Sequence, residues 1–271
     1  MMNQNLYNRL TESLKLRKDV FFITITDHTN SHMIGQKALL WPNGDIYSET
    51  PLSPALQSKI LEGCEKLIRR KRTGLISFLL FGDYVECFAE YYPIPIHLIV
   101  AGAGHVCEPV VEMGKMLGYY VTVIDDRIDF ANWDRFPNAD EVCCQSYIDY
   151  FRHVKLTDHT YILLITRGHK YDVLSLQELL KREDKAAYIG MIGSRRRISG
   201  VFNELMQDFP HESFDHLFTP VGLDIGAETP SEIAVSIMAE ILKVKNRTSG
   251  SSLSSSIREY ARMGFHEGAV K

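Results

Sequence analysis

The sequence predicts an α/β protein: a Rossmann-like, mostly parallel sheet in the C-terminal part, preceded by a small α+β domain. Three observations carry that expectation. A glycine-bearing turn, "LIVAGAGHVC", stands between an apolar run and a helical segment, a third of the way along the chain. After it, short apolar runs alternate mostly with helical segments, the rhythm of parallel strands joined by crossover helices. Before it, strand-like runs are joined by a hairpin turn, and "PIP" from Pro93 to Pro95 stiffens the junction between the two regimes. The expected domains are 1–92, 93–245, and a Ser-rich linker and tail over 246–271.

In the first domain, Leu6, Leu10 and Leu14 recur every fourth residue and give an opening helix one apolar face. "DVFFITIT" reads as a buried strand, followed by a polar loop from Asp27 to Ser31. "ALLW" and "IYSE" flank a turn containing Asn43-Gly44, which reads as a hairpin. An amphipathic helix is expected from about Ala55 to Arg70. The cluster Arg69, Arg70, Lys71 and Arg72 suits a solvated helix C-terminus, with an anion site as the alternative. The strands "LISFLLF" and "DYVECFAEYY" complete the domain.

In the second domain, strands are expected near Ile96–Ala101, Tyr120–Ile124, Glu141–Cys144, Tyr161–Thr166, Ala187–Ile192 and Asp215–Thr219. "DEVCCQS" reads as a strand carrying small apolar side chains, with a metal or redox role for Cys143 and Cys144 as the alternative. A helix from about Pro230 to Lys245 is announced by a capping box of Thr229 with Glu232, with Pro230 at the tolerated first position. "RTSGSSLSSS" is a flexible linker, and "IREYARMGFHEGAVK" reads as a short tail helix.

Composition narrows the function. Hydrophobic residues make up 45% of the 271 and charged residues 24%, as in a soluble globular protein. No apolar run is long enough to span a membrane, and the polar N-terminus lacks a secretion signal. A net charge of −4 without a basic block argues against nucleic acid as the main partner. Five cysteines form no C-x-x-C pair, which suits reduced thiols in the cytoplasm.

The glycine turn is the first candidate site. Gly102 lets the chain turn, and Gly104 lets the backbone approach a phosphate at a helix N-terminus. Cys107 replaces the third glycine of the dinucleotide fingerprint, and Pro109 falls in the first helical turn, where it is tolerated. Asp125, closing the next strand, is placed to grip ribose hydroxyls. His105 reads equally as a phosphate contact or a surface residue. Further candidates follow later strands: Thr166, Arg167, His169 and Asp172; then Gly193 and Ser194 with Arg195, Arg196 and Arg197, an anion cradle or a solvated helix start. Asp224 and Glu228, in "TPVGLDIGAETPSE", read as acid/base groups or as loop and helix caps.

The blocks "FGDYVECFAEYYPIPIHLIVAGAGHV", "VIDDR", "FANWDRFPNADEV", "IGMIGSRRR" and "PVGLDIGAETPSEIAVSIMAEI" resemble the XdhC/CoxI family of xanthine dehydrogenase accessory factors. The resemblance covers most of residues 80–245. It implies binding of the molybdenum cofactor, as molybdopterin or its dinucleotide, support of its sulfuration by a cysteine desulfurase, and delivery to a xanthine dehydrogenase apoenzyme. A phosphate cradle then makes sense without hydride transfer. The first domain departs from the family: where a Gly-Gly-Cys sequence usually follows the hairpin, this chain has "IYSETPLSP". Cys64, on a predicted helix, is no substitute, and any cysteine-dependent step there is in question. Two other classes stay open, an NAD(P)-dependent oxidoreductase resting on the glycine turn and Asp125, and a nucleotide-sensing regulator. A homodimer through the first domain is a further expectation.

Overall fold

The computed structural model describes residues 4–16, 18–70, 72–193, 205–211, 213–254 and 257. The chain divides into two compact units, 1–95 and 96–271.

In the first unit, helix α1 (Gln4–Lys15) precedes strand β1 (Val20–His28), a 3-10 turn at Ser31–Met33, and the hairpin of β2 (Lys37–Leu40) and β3 (Ile46–Ser48). Helix α2 (Pro54–Arg70) and strands β4 (Gly74–Leu80) and β5 (Asp83–Tyr92) follow. The five strands form an antiparallel sheet in the order β3-β2-β1-β5-β4. The start of β1 reads as one apolar run because both its faces are covered. Val20 and Phe22 pack with Leu6 and Leu10 of α1, while Phe21, Ile23 and Ile25 pack with Leu56, Ile60, Cys64 and Leu67 of α2.

Two expectations shift. Leu14 is 39% exposed, and Ser13 takes the buried position on α1 because its hydroxyl accepts from the Trp41 indole N–H at 3.1 Å. The loop expected from Asp27 starts later, because a bulge after Ile25 lets Asp27 and His28 keep pairing with Glu86 and Val85 of β5. Arg69, at the basic end of α2, pairs with Glu65 at 3.1 Å on an exposed surface.

The second unit runs β6 (His97–Ala101), α3 (Cys107–Met116), β7 (Tyr120–Asp125), β8 (Glu141–Cys144), α4 (Tyr147–His153), β9 (Thr160–Leu164), α5 (His169–Leu180) and β10 (Tyr188–Met191). A two-residue β11 (Leu217–Phe218) and helix α6 (Pro230–Asn246) complete it. The strand order is β11-β10-β9-β6-β7-β8, with every pair parallel. Consecutive connections run outward from β6 in one direction and then, from β9, in the other. The topological switch point of a doubly wound sheet therefore lies between β6 and β9.

Alternate residues face opposite layers, as strand geometry requires. Leu98, Val100, Val121, Val123, Leu163 and Tyr188 pack with Cys107, Val110 and Val111 of α3 and Ala234, Ile237 and Ile241 of α6. Ile99, Ala101, Ile124, Ile162, Leu164 and Ile189 pack with Tyr147 and Phe151 of α4 and Leu176, Leu179 and Leu180 of α5. At the two edges the apolar runs promise more than the sheet uses. Only Leu217 and Phe218 of the expected 215–219 strand find ladder partners, and on β8 Cys143 is half-buried while Cys144 is exposed. The capping box of α6 forms, with the Glu232 N–H donating to Thr229 Oγ1 at 3.3 Å and the Thr229 N–H to Glu232 Oε2 at 2.8 Å. Among the described residues no helix is long and apolar enough to cross a membrane. The tail helix expected over 257–271 lies, apart from Ile257, outside the described residues.

Candidate active site at the switch point

The glycine turn leaves β6 at the C-terminal edge of the sheet, where open α/β sheets bind ligands. Gly102 has φ +116°, and a Cβ there would lie 2.3 Å from the Ile165 carbonyl oxygen. The absence of its side chain therefore lets the turn press against the backbone leaving β9. Gly104 differs: a Cβ there would meet nothing within 4 Å. The N–H groups of Gly104, His105 and Val106 donate no hydrogen bond among the described residues, and Val106 caps α3 without any side-chain bond. Three donors at an uncapped helix start are the elements of an anion site. His105 sits exposed beside them, and Cys107 is buried against the sheet.

Asp125 takes a different part from the ribose contact. It is fully buried, and its carboxylate accepts from Ala103 N at 2.9 Å and from Arg127 N, Nε and Nη2 at 3.1, 2.8 and 2.9 Å. Burial alone would raise its pKa, but the Arg127 guanidinium and the two backbone N–H groups outweigh burial and hold it at about 2. The carboxylate thus locks the glycine turn to the end of β7. Tyr147 is buried beside it, and burial, reinforced by the Asp125 charge, pushes the tyrosine hydroxyl above its ordinary range. Arg135 holds the turn from the other side, donating to the Ala103 carbonyl at 2.8 Å and pairing with Glu108 of α3.

Beyond β9, the Thr166 N–H donates to the buried Asp172 carboxylate at 3.0 Å, and its hydroxyl to the Gly168 carbonyl at 3.0 Å. His169 opens α5 behind an extended Gly168 that also makes no side-chain cap bond. Gly193 follows β10 at the same edge. The loop 219–229 is tied there as well. Val221 N–H reaches the Met191 carbonyl at 3.1 Å, Gly222 N–H reaches Glu240 Oε2 at 3.0 Å, and the Ser236 hydroxyl reaches the Leu223 carbonyl at 2.6 Å. Asp224 and Glu228 are exposed on it.

The fold therefore brings Gly102, Gly104, His105, Asp125 and Thr166 to three neighbouring strand ends, with His169 just beyond, Gly193 one strand further and Asp224 on the adjoining loop. Ser194, Arg195, Arg196 and Arg197 lie outside the described residues. Sequence reading passed over Asp126, Arg135 and Glu240, whose partners lie far along the chain, and also Arg127, whose partner Asp125 is only two residues away within "VIDDR". A separate groove of about 770 Å³ opens in the first unit, lined by Arg9, Trp41, Tyr47 and Ile94 among others. The features that suit phosphate, a glycine turn and uncapped helix starts at a switch point, all belong to the second unit, so chemistry rather than size locates the candidate site.

Comparison with known proteins bears on the family and fold of the chain. Residues 98–241 match the family described as the XdhC Rossmann domain. The chain is 30% identical over 171 residues to the uncharacterized protein YqeB of Escherichia coli K12, covering 62% of this chain and 31% of that one. It is 30% identical over 167 residues to a probable xanthine dehydrogenase subunit of Bacillus subtilis, covering 62% and 48%. The crystal structure of a xanthine dehydrogenase from Bacillus halodurans superposes with a TM-score of 0.66 at 25% identity, over 88% of this chain and 66% of that one. The matches thus take in about a third and about half the length of the two curated relatives.

Proposed function

The chain belongs to the XdhC family through its Rossmann domain, and from that premise we propose that it is an accessory factor for xanthine dehydrogenase or a related molybdenum hydroxylase. In this reading it binds molybdenum cofactor as cargo, supports its sulfuration by a cysteine desulfurase, and inserts it into the apoenzyme. The observation that carries the reading is the uncapped start of α3, where the N–H groups of Gly104, His105 and Val106 donate to nothing among the described residues and the space a Gly104 side chain would fill is open. A pterin phosphate needs such a cradle as much as a dinucleotide does. The rival oxidoreductase rested on the glycine turn and on Asp125 as a ribose ligand; the turn serves either reading, and that carboxylate is already engaged by Arg127 and Ala103.

In the first unit, Cys64 and Cys87 are buried, and burial, with a smaller contribution from Cys87 at Cys64 and from Glu86 at Cys87, pushes both thiols up to about 12. Neither suits a sulfur-transfer role, so the sulfur falls to the partner desulfurase. The outward row of Leu75, Leu79 and Phe81 at the edge strand β4 supports a homodimer through this unit.

Cells lacking the protein are expected to make xanthine dehydrogenase that contains its iron–sulfur and flavin groups but little active molybdenum centre. Adding the purified, cofactor-loaded protein should restore activity without NAD(P)H. Normal dehydrogenase activity in the deletion strain, with no redundant homologue, would overturn the reading. Mass spectrometry of the co-purifying small molecule identifies which form of the cofactor is held.

A further inference from the structure

Among the described residues Arg127, Arg135 and Arg167 stand at or beside the strand ends around the glycine turn, and they differ in how many of their donors are used. Arg127 gives Nε and Nη2 to Asp125 in a two-pronged pair. Arg135 gives Nη1 to the Ala103 and Phe130 carbonyls and Nη2 to Glu108. Both are committed to holding the turn. Arg167 is not. Only its Nη2 is engaged, by Asp126 Oδ2 at 3.0 Å and by the Tyr171 hydroxyl at 2.8 Å, while Nε and Nη1 donate to nothing among the described residues. Its guanidinium lies 4.6 Å from the centre of the Tyr171 ring, which supports it from one side.

The position of this ion pair matters. Asp126 directly follows β7, and Arg167 lies just past β9, the two strands that flank β6. The pair therefore bridges the strand ends on either side of Gly102, a span of about 10 Å at ordinary strand spacing. A ligand extended along the switch-point edge, with its phosphate at the start of α3, follows the same path. Both side chains are about one-third exposed, 34% for Arg167 and 29% for Asp126, and so partly exposed a pair is easily exchanged.

We propose that Arg167 is the phosphate-seeking cation of this crevice and that Asp126 holds it in reserve, as a carboxylate that the ligand's phosphate displaces. The proposal rests on the phosphate-binding reading of the glycine turn given above. A phosphate presents more acceptor oxygens and more charge than a carboxylate, and the planar fork of Arg167 has two nitrogens free to meet it. Until ligand arrives, Asp126 neutralises the cation and keeps it over the crevice.

The test is a double-mutant cycle on the full chain, read by calorimetry with inorganic pyrophosphate at low ionic strength. Asp126→Asn should tighten pyrophosphate about three-fold, because the competing carboxylate is gone. Arg167→Ala should weaken it about ten-fold, and Arg167→Lys should recover part of that loss. In the Arg167→Ala background the gain from Asp126→Asn should shrink toward the small effect of removing one negative charge. The Nε–H resonance of Arg167 should move on titration while that of Arg127 stays put. An equal gain in both backgrounds, or an Arg167→Ala affinity within about two-fold of wild type, overturns the proposal. So does the absence of pyrophosphate binding in all variants. The cofactor reading is judged separately by restoration of the client enzyme, so a working latch with no client effect, or the converse, tells the two apart.

Discussion

Gly102 and Gly104 stand two residues apart in one turn, and substitution should separate their roles. At Gly102 a methyl group would press on the Ile165 carbonyl with φ at +116°, so Gly102→Ala should cost on the order of 3 kcal/mol in chemical denaturation. At Gly104 there is room, so Gly104→Val should change stability by less than about 1 kcal/mol while lowering affinity for the native ligand. Equal ligand affinity for Gly104→Val and wild type in calorimetry would make the turn purely structural. Asp125 gives a pH signature. Its pKa falls from 3.8 to about 2 on folding, so its contribution, about 2 kcal/mol, is fully present above pH 4. That contribution is lost as pH drops through 2, because the unfolded carboxyl binds a proton first. Asp125→Asn should therefore be less stable than wild type at pH 7, and the gap should close progressively below pH 4. A gap that stays constant down to pH 2 would mean that the charge of Asp125 plays no part in the lock.

The loop 219–229 depends on helix α6 in a way that can be cut at one atom. Glu240 is buried and accepts from the Tyr188 hydroxyl at 2.7 Å and from Gly222 N–H at 3.0 Å, both on Oε2. Gly222, at φ +104°, has no space for a side chain, since a Cβ would lie 2.4 Å from Ser236 Oγ. Glu240→Ala strands a buried donor on Tyr188 and a half-buried one on Gly222 and should cost about 3 kcal/mol, whereas Tyr188→Phe removes one donor with its ring stacking intact and should cost about 1 kcal/mol. Hydrogen exchange should show faster opening at Gly222 and Leu223 in Glu240→Ala, with β6 and β7 unchanged. Exchange that quickens uniformly through the sheet would mean the contact holds the whole core and not the loop. Strands and capped helices of this kind are legible in sequence because their signals are local: apolar runs of the right length, Thr229 with Glu232, Pro230 at the helix start. The bonds that shape the site join residues such as Gly222 and Glu240, or Ala103 and Arg135, and no local pattern announces such pairs. Asp125 shows the same limit. Its position at the end of a strand was readable, with Arg127 two residues on, but the bond it accepts from Ala103, 22 residues away, is a product of packing.

Each of the two units has its own hydrophobic core, and the chain carries one tryptophan in each, Trp41 in the first and Trp133 in the second. The first-unit core lies between α2 and the antiparallel sheet, with α1 on the other face; the second-unit cores lie on the two faces of the parallel sheet. The abrupt change at Pro93 to Pro95, from hairpin-linked strands to crossover connections, reflects this division. If the cores are separate cooperative units, unfolding should be divisible by probe. In Trp133→Phe the remaining indole, Trp41, reports the first unit; in Trp41→Phe the remaining Trp133 reports the second. Adding Gly102→Ala strains the turn beside β9, so it should lower the denaturation midpoint seen by Trp133 and leave the midpoint seen by Trp41 within error. Ligand should act on the same side: binding only the folded second unit, it should raise the Trp133 midpoint with concentration and leave the Trp41 midpoint unmoved. Midpoints that fall together in the Gly102→Ala background would mean that the units fold as one cooperative body. In that case the glycine turn would set the stability of the entire chain, and ligand bound at the switch point would be felt in the first unit as well.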